Sequence, residues 1–226
     1  MKNKYLENAR ISEIKFRQLL KLFSNDIPAM TSASITGLNI RTCQRIYTLL
    51  RDRIVALAAE ENRPFSGEVE IDESYFGARL ARGKRGRGAS GKTPVIGLLK
   101  RDGKVYVKVV NNCSRKALLP VIKGQVMEES TVYTDGWKAY DSLVREGHKH
   151  HRVHHHRDEF ARGKSHVNGI ESFWSYVKFR MSKLRGVRRE RFVIHLLESA
   201  WRFKRRHDNI YLFLLRNLRQ NPLSAT

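Results

Sequence analysis

At Glu61-Asn62-Arg63-Pro64 the hydrophobic rhythm of this chain changes, and that change limits the folds open to it. Beyond it lie short runs rich in β-branched and aromatic residues, at Glu68 to Phe76, Pro94 to Lys100, Lys104 to Val110 and Ser130 to Thr134. Arg101-Asp102-Gly103 separates the second run from the third and is a hairpin signal. Ser114 to Gly124 reads as a helix capped by Ser114, and helical spacing returns over His166 to Met181, Arg188 to Arg206 and Ile210 to Leu218. Three strands in meander, a helix, a strand and further helices predict an α/β domain with a mixed sheet.

The first sixty residues read differently. Phe16, Leu20 and Phe23 mark one helix, which Asn25 to Pro28 stops, and a short helical stretch follows from Thr31 to Leu38. Cys43, Ile46, Leu50, Ile54 and Leu57 then define one face of a longer helix reaching about Glu60. A short helix, a turn at Gly37 and a longer helix give a helix-turn-helix outline. Arg41, Gln44 and Arg45 would stand where base edges are met, although a plain three-helix bundle with a basic face fits the pattern too. The expected division is therefore 1–62 as a helical DNA-binding region and 63–226 as an α/β domain with a C-terminal helical extension.

Charge narrows the partner. Lys and Arg number 44 against 22 Asp and Glu, a formal net charge of +22 on 226 residues. With 41% apolar residues the chain can build a core, so a disordered polycation is excluded and a polyanion, nucleic acid above all, is the expected partner. No window holds eighteen consecutive apolar residues, and MKNKYLENARISEIKF lacks the apolar stretch of a secretory signal. Cys43 and Cys113 are too few for a disulfide framework, so a reducing, cytoplasmic setting without membrane partners is expected.

Two segments stand apart. Gly77 to Lys92 holds five Gly, six basic residues and no acid, between two strands. Arg82, Lys84, Arg85, Arg87 and Lys92 suit phosphate contact there. Glu146 to Arg157 holds six of the nine histidines, without the nearby cysteines or ligand spacing of a zinc site. It reads as a basic, pH-sensitive surface.

Against this basic background three carboxylates at the ends of apolar runs are informative: Asp72, Asp135 and Glu171. Ile170, Phe173, Trp174, Val177 and Met181 form a buried helical stripe beside Glu171, and Lys178 follows on the polar stripe about 10 Å along the axis. Three carboxylates brought together repel unless a divalent ion compensates them, and hard cations such as Mg²⁺ take oxygen ligands plus phosphate oxygens. Each residue also has a duller explanation. Asp72 shares parity with Glu68 and Glu70 on what would be a solvated strand face, and Glu73 rivals it. Asp135-Gly136 suits a turn, and Asn168 to Glu171 matches a capping box.

Asp72, Asp135 and Glu171, with 35 residues between the last two and Lys178 seven beyond, resemble the DDE triad of insertion-sequence transposases. Ile71-Asp72-Glu73-Ser74-Tyr75-Phe76-Gly77, Tyr133-Thr134-Asp135-Gly136-Trp137 and His166-Val167-Asn168-Gly169-Ile170-Glu171-Ser172-Phe173-Trp174 resemble the blocks of one bacterial and archaeal family of such enzymes. The resemblance covers about Phe65 to Val187. It implies a ribonuclease-H-like five-stranded mixed sheet flanked by helices, with its fifth strand around His150 to His154. It implies paired Mg²⁺ or Mn²⁺ held by Asp72, Asp135 and Glu171, cleavage at transposon ends, and attack of the freed 3′-OH on target DNA. Lys178 would contact DNA near the reactive phosphate, Arg180 would add a DNA contact, and Glu73, His166 and Asn168 would take supporting roles. Double-stranded DNA, as terminal inverted repeats and target, and a homodimer or larger assembly are the implied partners. A prokaryotic, nucleoid-associated protein follows.

Longer relatives carry an N-terminal zinc ribbon with paired cysteines, which this sequence does not show. The helical region is then the candidate for end recognition. A hydrolysis-only nuclease of the same fold and a catalytically silent DNA-binding derivative are the rival readings. The apolar stripe Tyr211, Leu212, Leu214, Leu215 and Leu218 suits a subunit interface or a core equally.

Overall fold

The computed structural model describes residues 3–77, 92–135, 149–153, 168–184 and 187–224. It divides into two units, one of Met1–Glu61 with Arg180–Thr226, the other Asn62–Phe179.

The helical unit contains α1 (Glu13–Ser24), α2 (Ala29–Thr36) and α3 (Ile40–Glu60), with α6 (Arg189–Lys204) and α7 (Ile210–Gln220). Ser12 caps α1 by accepting from the Lys15 amide at 3.3 Å, and Asn39 caps α3 by accepting from Arg41 at 2.8 Å. Between α2 and α3 the chain reverses at Gly37, whose φ of +68° favours a residue without Cβ. Phe16, Leu20 and Phe23 of α1 meet Cys43, Ile46, Leu50 and Ile54 of α3 in one core. Trp201, Leu214 and Leu218 complete that core. The C-terminal helices thus belong with the first sixty residues and not with the sheet, to which the sequence pattern assigns them. An amphipathic stripe announces that a helix packs but not what it packs against. In α7, Leu214 and Leu218 are fully buried while Leu212 is exposed. Leu223 closes the unit through backbone hydrogen bonds with Tyr5 and Glu7.

Arg180 requires a correction. Expected to contact DNA, it is 1% exposed and forms ion pairs with Glu198 at 2.7 Å and Asp26 at 2.9 Å. Glu198 is completely buried and also accepts from Arg51 and Arg202, each at 2.9 Å. Arg202 in turn donates to the carbonyls of Phe23 and Ser24, the last turn of α1. These guanidinium groups are committed inside the helical unit. A basic residue on a helix is legible in sequence, but its burial depends on a carboxylate eighteen residues further on.

The second unit is built on a sheet of order β3-β2-β1-β4-β5. Its strands are β1 (Glu68–Phe76), β2 (Thr93–Lys100), β3 (Val105–Val109), β4 (Thr131–Asp135) and β5 (Lys149–Val153). The first three pair antiparallel, while β4 lies parallel to β1 and β5 parallel to β4. This is the ribonuclease-H-like arrangement. α4 (Arg115–Gln125) covers one face, packing Leu118, Val121 and Ile122 on Val69, Ile71, Ile96, Leu98 and Val132.

α5 (Asn168–Ser182) lies against the opposite face, and two glycines let it approach. A Cβ on Gly97 of β2 would come within 2.5 Å of the Trp174 ring, and one on Gly169 within 2.8 Å of Glu70. Phe76 meets Trp174 edge to face at 5.9 Å. Gly97→Ala is therefore expected to lower unfolding stability by about 1–3 kcal/mol through overpacking, read by urea denaturation. An unchanged midpoint would mean that Trp174 has room to move.

Candidate active site

Side chains alternate along a strand, so β1 presents two distinct sets. Val69 and Ile71 enter the core beneath α4. Tyr75, of the same parity, donates its hydroxyl to Cys113 Sγ at 3.2 Å, and burial with nearby Glu73 and Asp72 raises the Cys113 thiol above its ordinary range. Tyr75 itself is pushed up to about 12, first by that hydrogen bond and then by burial. Glu73 belongs to this set. Glu70, Asp72, Ser74 and Phe76 belong to the other, the set that meets α5. Asp72 is half-buried beside Gly97, its antiparallel partner, under the notch that Trp174 fills. The face shared by Glu70 and Asp72 is therefore not a solvated one.

The parallel register between β1 and β4 runs from Glu68 opposite Thr131 to Ile71 opposite Thr134. One further step brings the backbone of Asp72 beside that of Asp135, on strands about 4.8 Å apart. Asp135 ends β4 and pairs with Val153 of β5. Thr134, before it, is fully buried and hydrogen-bonded to His150 Nε2 at 2.8 Å. Two of the clustered histidines lie on β5, where the resemblance implies the fifth strand: His150 bonds to Thr134 of β4, and the exposed His151 stacks on Tyr133 at 5.4 Å.

Glu171 lies in the first turn of α5 and is exposed. Ile170, Phe173, Trp174 and Val177 are buried, and Ser175, Lys178 and Ser182 are exposed, as the two stripes predict. The start of the helix is set from outside it. Glu70 Oε2 accepts the Ile170 amide at 2.9 Å, satisfying one of the donors left open at a helix N-terminus.

Glu70 is the residue that sequence reasoning passed over. It is 1% exposed, paired with Arg101 at 3.2 Å, and sits two residues before Asp72 on the same face. Its signal was an acidic residue between Val69 and Ile71 in a strand apolar enough to be central. Arg41, Gln44, Arg45 and Lys92 are exposed. Arg82, Lys84, Arg85, Arg87 and His166 lie outside the described residues. Among the described residues no group of three metal-ligating side chains occurs, and no helix is long and apolar enough to cross a membrane.

The description "ISXO2-like transposase domain" matches residues 64–204. A transposase-like protein of Haemophilus influenzae, itself uncharacterized, is 35% identical over 120 residues, covering 53% of this chain and 97% of that protein. An uncharacterized protein in transposable element ISH50 of Halobacterium salinarum is 34% identical over 156 residues, covering 62% of this chain. The chain spans only about half of that relative, 53% of its length. Among solved structures, the HTLV-2 integrase catalytic core domain in complex with magnesium aligns with TM-score 0.38 and 10% identity, over 63% of this chain and 87% of that one. The Mos1 strand transfer complex aligns with TM-score 0.31 and 10% identity, over 91% and 78%.

Proposed function

Because the chain belongs to the ISXO2-like transposase family, we propose that it cuts phosphodiester bonds at insertion-sequence ends and joins the freed 3′-OH ends to target DNA. The observation that carries this reading is a convergence of backbone positions. Asp72 on β1 and Asp135 on β4 are one register step past the last paired residues, and Glu171 follows Ile170, whose amide is held by Glu70 of β1. Asp72, Asp135 and Glu171 are the metal ligands of this proposal, and Asp72 is preferred to Glu73 because only its strand face meets α5.

All three donors are carboxylate oxygens, the donor set that suits Mg²⁺ or Mn²⁺ and not a thiolate- or imidazole-seeking metal. Such ions, when bound, supply an activated attacking oxygen and a stabilised leaving 3′ oxygen. The rest falls to the chain itself. Lys178, exposed two turns after Glu171, holds a phosphate of the DNA backbone near the reacting bond. Asn168, exposed at the start of α5, and His166 support the approach to Glu171. The basic stretch with Arg82, Lys84, Arg85, Arg87 and Lys92 takes further phosphates. Arg41, Gln44 and Arg45, at the exposed start of α3, read the element ends. Two ends must be joined together, so a dimer or larger assembly on DNA belongs to the proposal.

The deciding experiment incubates the protein with labelled element ends, a supercoiled target and Mg²⁺ or Mn²⁺. Metal-dependent joined products support the reading. Cleavage without joining would favour a hydrolysis-only nuclease, and tight end-specific binding without chemistry a silent DNA-binding derivative.

The two basic regions are expected to separate by salt dependence. Neutralising Arg82, Lys84, Arg85 and Arg87 together should flatten the slope of log affinity against log salt by about 3 to 4, for any DNA sequence. Changing Arg41 and Arg45 to Ala should instead cost preference for the ends, by about 1–3 kcal/mol for each lost base contact. Equal losses on end and random DNA from the second pair would remove α3 from base reading.

A further inference from the structure

Each of the three proposed carboxylates stands one or two residues from a cluster centred on the buried Glu70 and Tyr133. Glu70, two residues before Asp72, binds the Ile170 amide through Oε2 at 2.9 Å and Arg101 Nε through Oε1 at 3.2 Å. Ile170 immediately precedes Glu171. The Arg101 guanidinium lies 3.9 Å from the ring centre of Tyr133, which is two residues before Asp135. Tyr133 donates its hydroxyl to Glu68 at 2.7 Å, and Glu68 pairs with Arg101 at 3.2 Å, returning the cluster to β1. One cluster therefore ties together β1, β4 and the first turn of α5, the three elements that carry Asp72, Asp135 and Glu171.

We propose that Glu70 and Arg101 are positioning residues that set the separation of Asp72, Asp135 and Glu171, and with it their affinity for a divalent cation. This rests on the transposase reading of the triad. An ionised carboxylate on a buried face costs desolvation, and here it is offset by Arg101 and by the helix N-terminus. A packed apolar residue would fill the same space but would fix no angle. A carboxylate accepting from both a guanidinium and a backbone amide allows few orientations, so it fixes where the first turn of α5 begins. Gly169 is part of the device, because a Cβ there would meet Glu70 Oε2 at 2.8 Å and lift the turn away. Arg101 also bridges strands: its hairpin position after β2 places it where both Glu68 and Glu70 of β1 are reached.

The test uses the full chain and compares Glu70→Ala, Glu70→Gln and Arg101→Met with wild type. Mn²⁺ affinity is read by titration calorimetry, folding by circular dichroism, DNA affinity by gel shift and joining by the strand-transfer assay. Glu70→Ala is expected to weaken Mn²⁺ binding and slow joining by about tenfold or more, the range found when outer groups that orient metal ligands are lost. DNA affinity should stay within about twofold, since phosphate contacts lie elsewhere. Glu70→Gln keeps a carbonyl for the Ile170 amide, so it should retain more Mn²⁺ affinity than Glu70→Ala. Mn²⁺ affinity in Glu70→Ala equal to wild type would overturn the inference, as would Mn²⁺ and DNA affinity falling together. Should Glu70→Ala fail to fold, Arg101→Met decides: unchanged Mn²⁺ affinity there overturns the inference. A wild type that neither binds Mn²⁺ nor joins ends would instead overturn the transposase reading, and this inference with it.

Discussion

Asp72→Ala and Glu171→Ala are each expected to reduce joining of element ends by about a thousandfold or more while leaving DNA affinity within about twofold. The reason is the difference between binding and chemistry. Affinity comes from Lys and Arg on phosphates, and the net charge of +22 barely changes when one carboxylate is removed. Turnover depends on charge stabilisation at the reacting phosphate, which a two-ligand site supplies poorly. Glu73→Ala is the matched control, because Glu73 lies on the strand face away from α5; it should keep most of the activity. Equal losses from Asp72→Ala and Glu73→Ala would mean that strand parity does not separate the two residues, and activity retained in Asp72→Ala would end the DDE reading. Asp135→Ala completes the series and should match Asp72→Ala.

A second large effect is expected far from the chemistry. Glu198→Ala should destabilise the helical unit by about 3–5 kcal/mol at neutral pH, because the buried Arg180 and Arg202 and the half-buried Arg51 would be left around a missing anion. Loss of far-ultraviolet helical signal during urea unfolding reads this, with Trp201 in that core as a local probe. The pH dependence has a definite sign. Burial alone would raise the Glu198 carboxyl, but Arg180, Arg202, the His195 ring 3.7 Å away and Arg51 hold it well below its ordinary range. A carboxyl lowered in the folded state binds its proton more readily when unfolded. Its stabilisation is therefore present above the unfolded value near 4.3 and is lost as pH falls from there through the folded value. Glu198→Gln should flatten that acid limb, leaving a lower stability that varies less with pH between about 5 and 3. An unchanged acid limb would show that other carboxylates dominate it.

The two effects are unlike in how openly the sequence displays them. The triad sits in three short strings whose order and spacing resemble one transposase family, and its chemistry needs particular residue types in particular places. The Glu198 cluster has no string at all. Asp26, Arg51, Arg180, Glu198 and Arg202 come from segments up to 176 residues apart, and each alone reads as ordinary helix charge. An Arg two residues after Lys178, as Arg180 is, cannot be told in sequence from a surface residue that contacts DNA until its partners are known. Glu70 is inconspicuous in the sequence for a related reason. Parity with Glu68 made its face look solvated, whereas α5, from a hundred residues later, covers it.

What the sequence determined by itself was local and periodic. Strand runs, the Arg101-Asp102-Gly103 hairpin and the helix stripes follow from alternation and from steric preference within a few residues, and the structure places those elements within a few residues of where the pattern does, although Ser114 precedes α4 without a side-chain cap hydrogen bond. Register was legible only in part: the hairpin aligned β2 with β3, but nothing local could align β4 with β1. Tertiary structure alone decided which face of β1 meets α5, that Gly97 and Gly169 are contact glycines, and that residues 180–226 complete the N-terminal helices. Those outcomes depend on which apolar surface finds which, a choice made by shape and by the pairing of buried charges. No window of sequence contains both partners of such a contact.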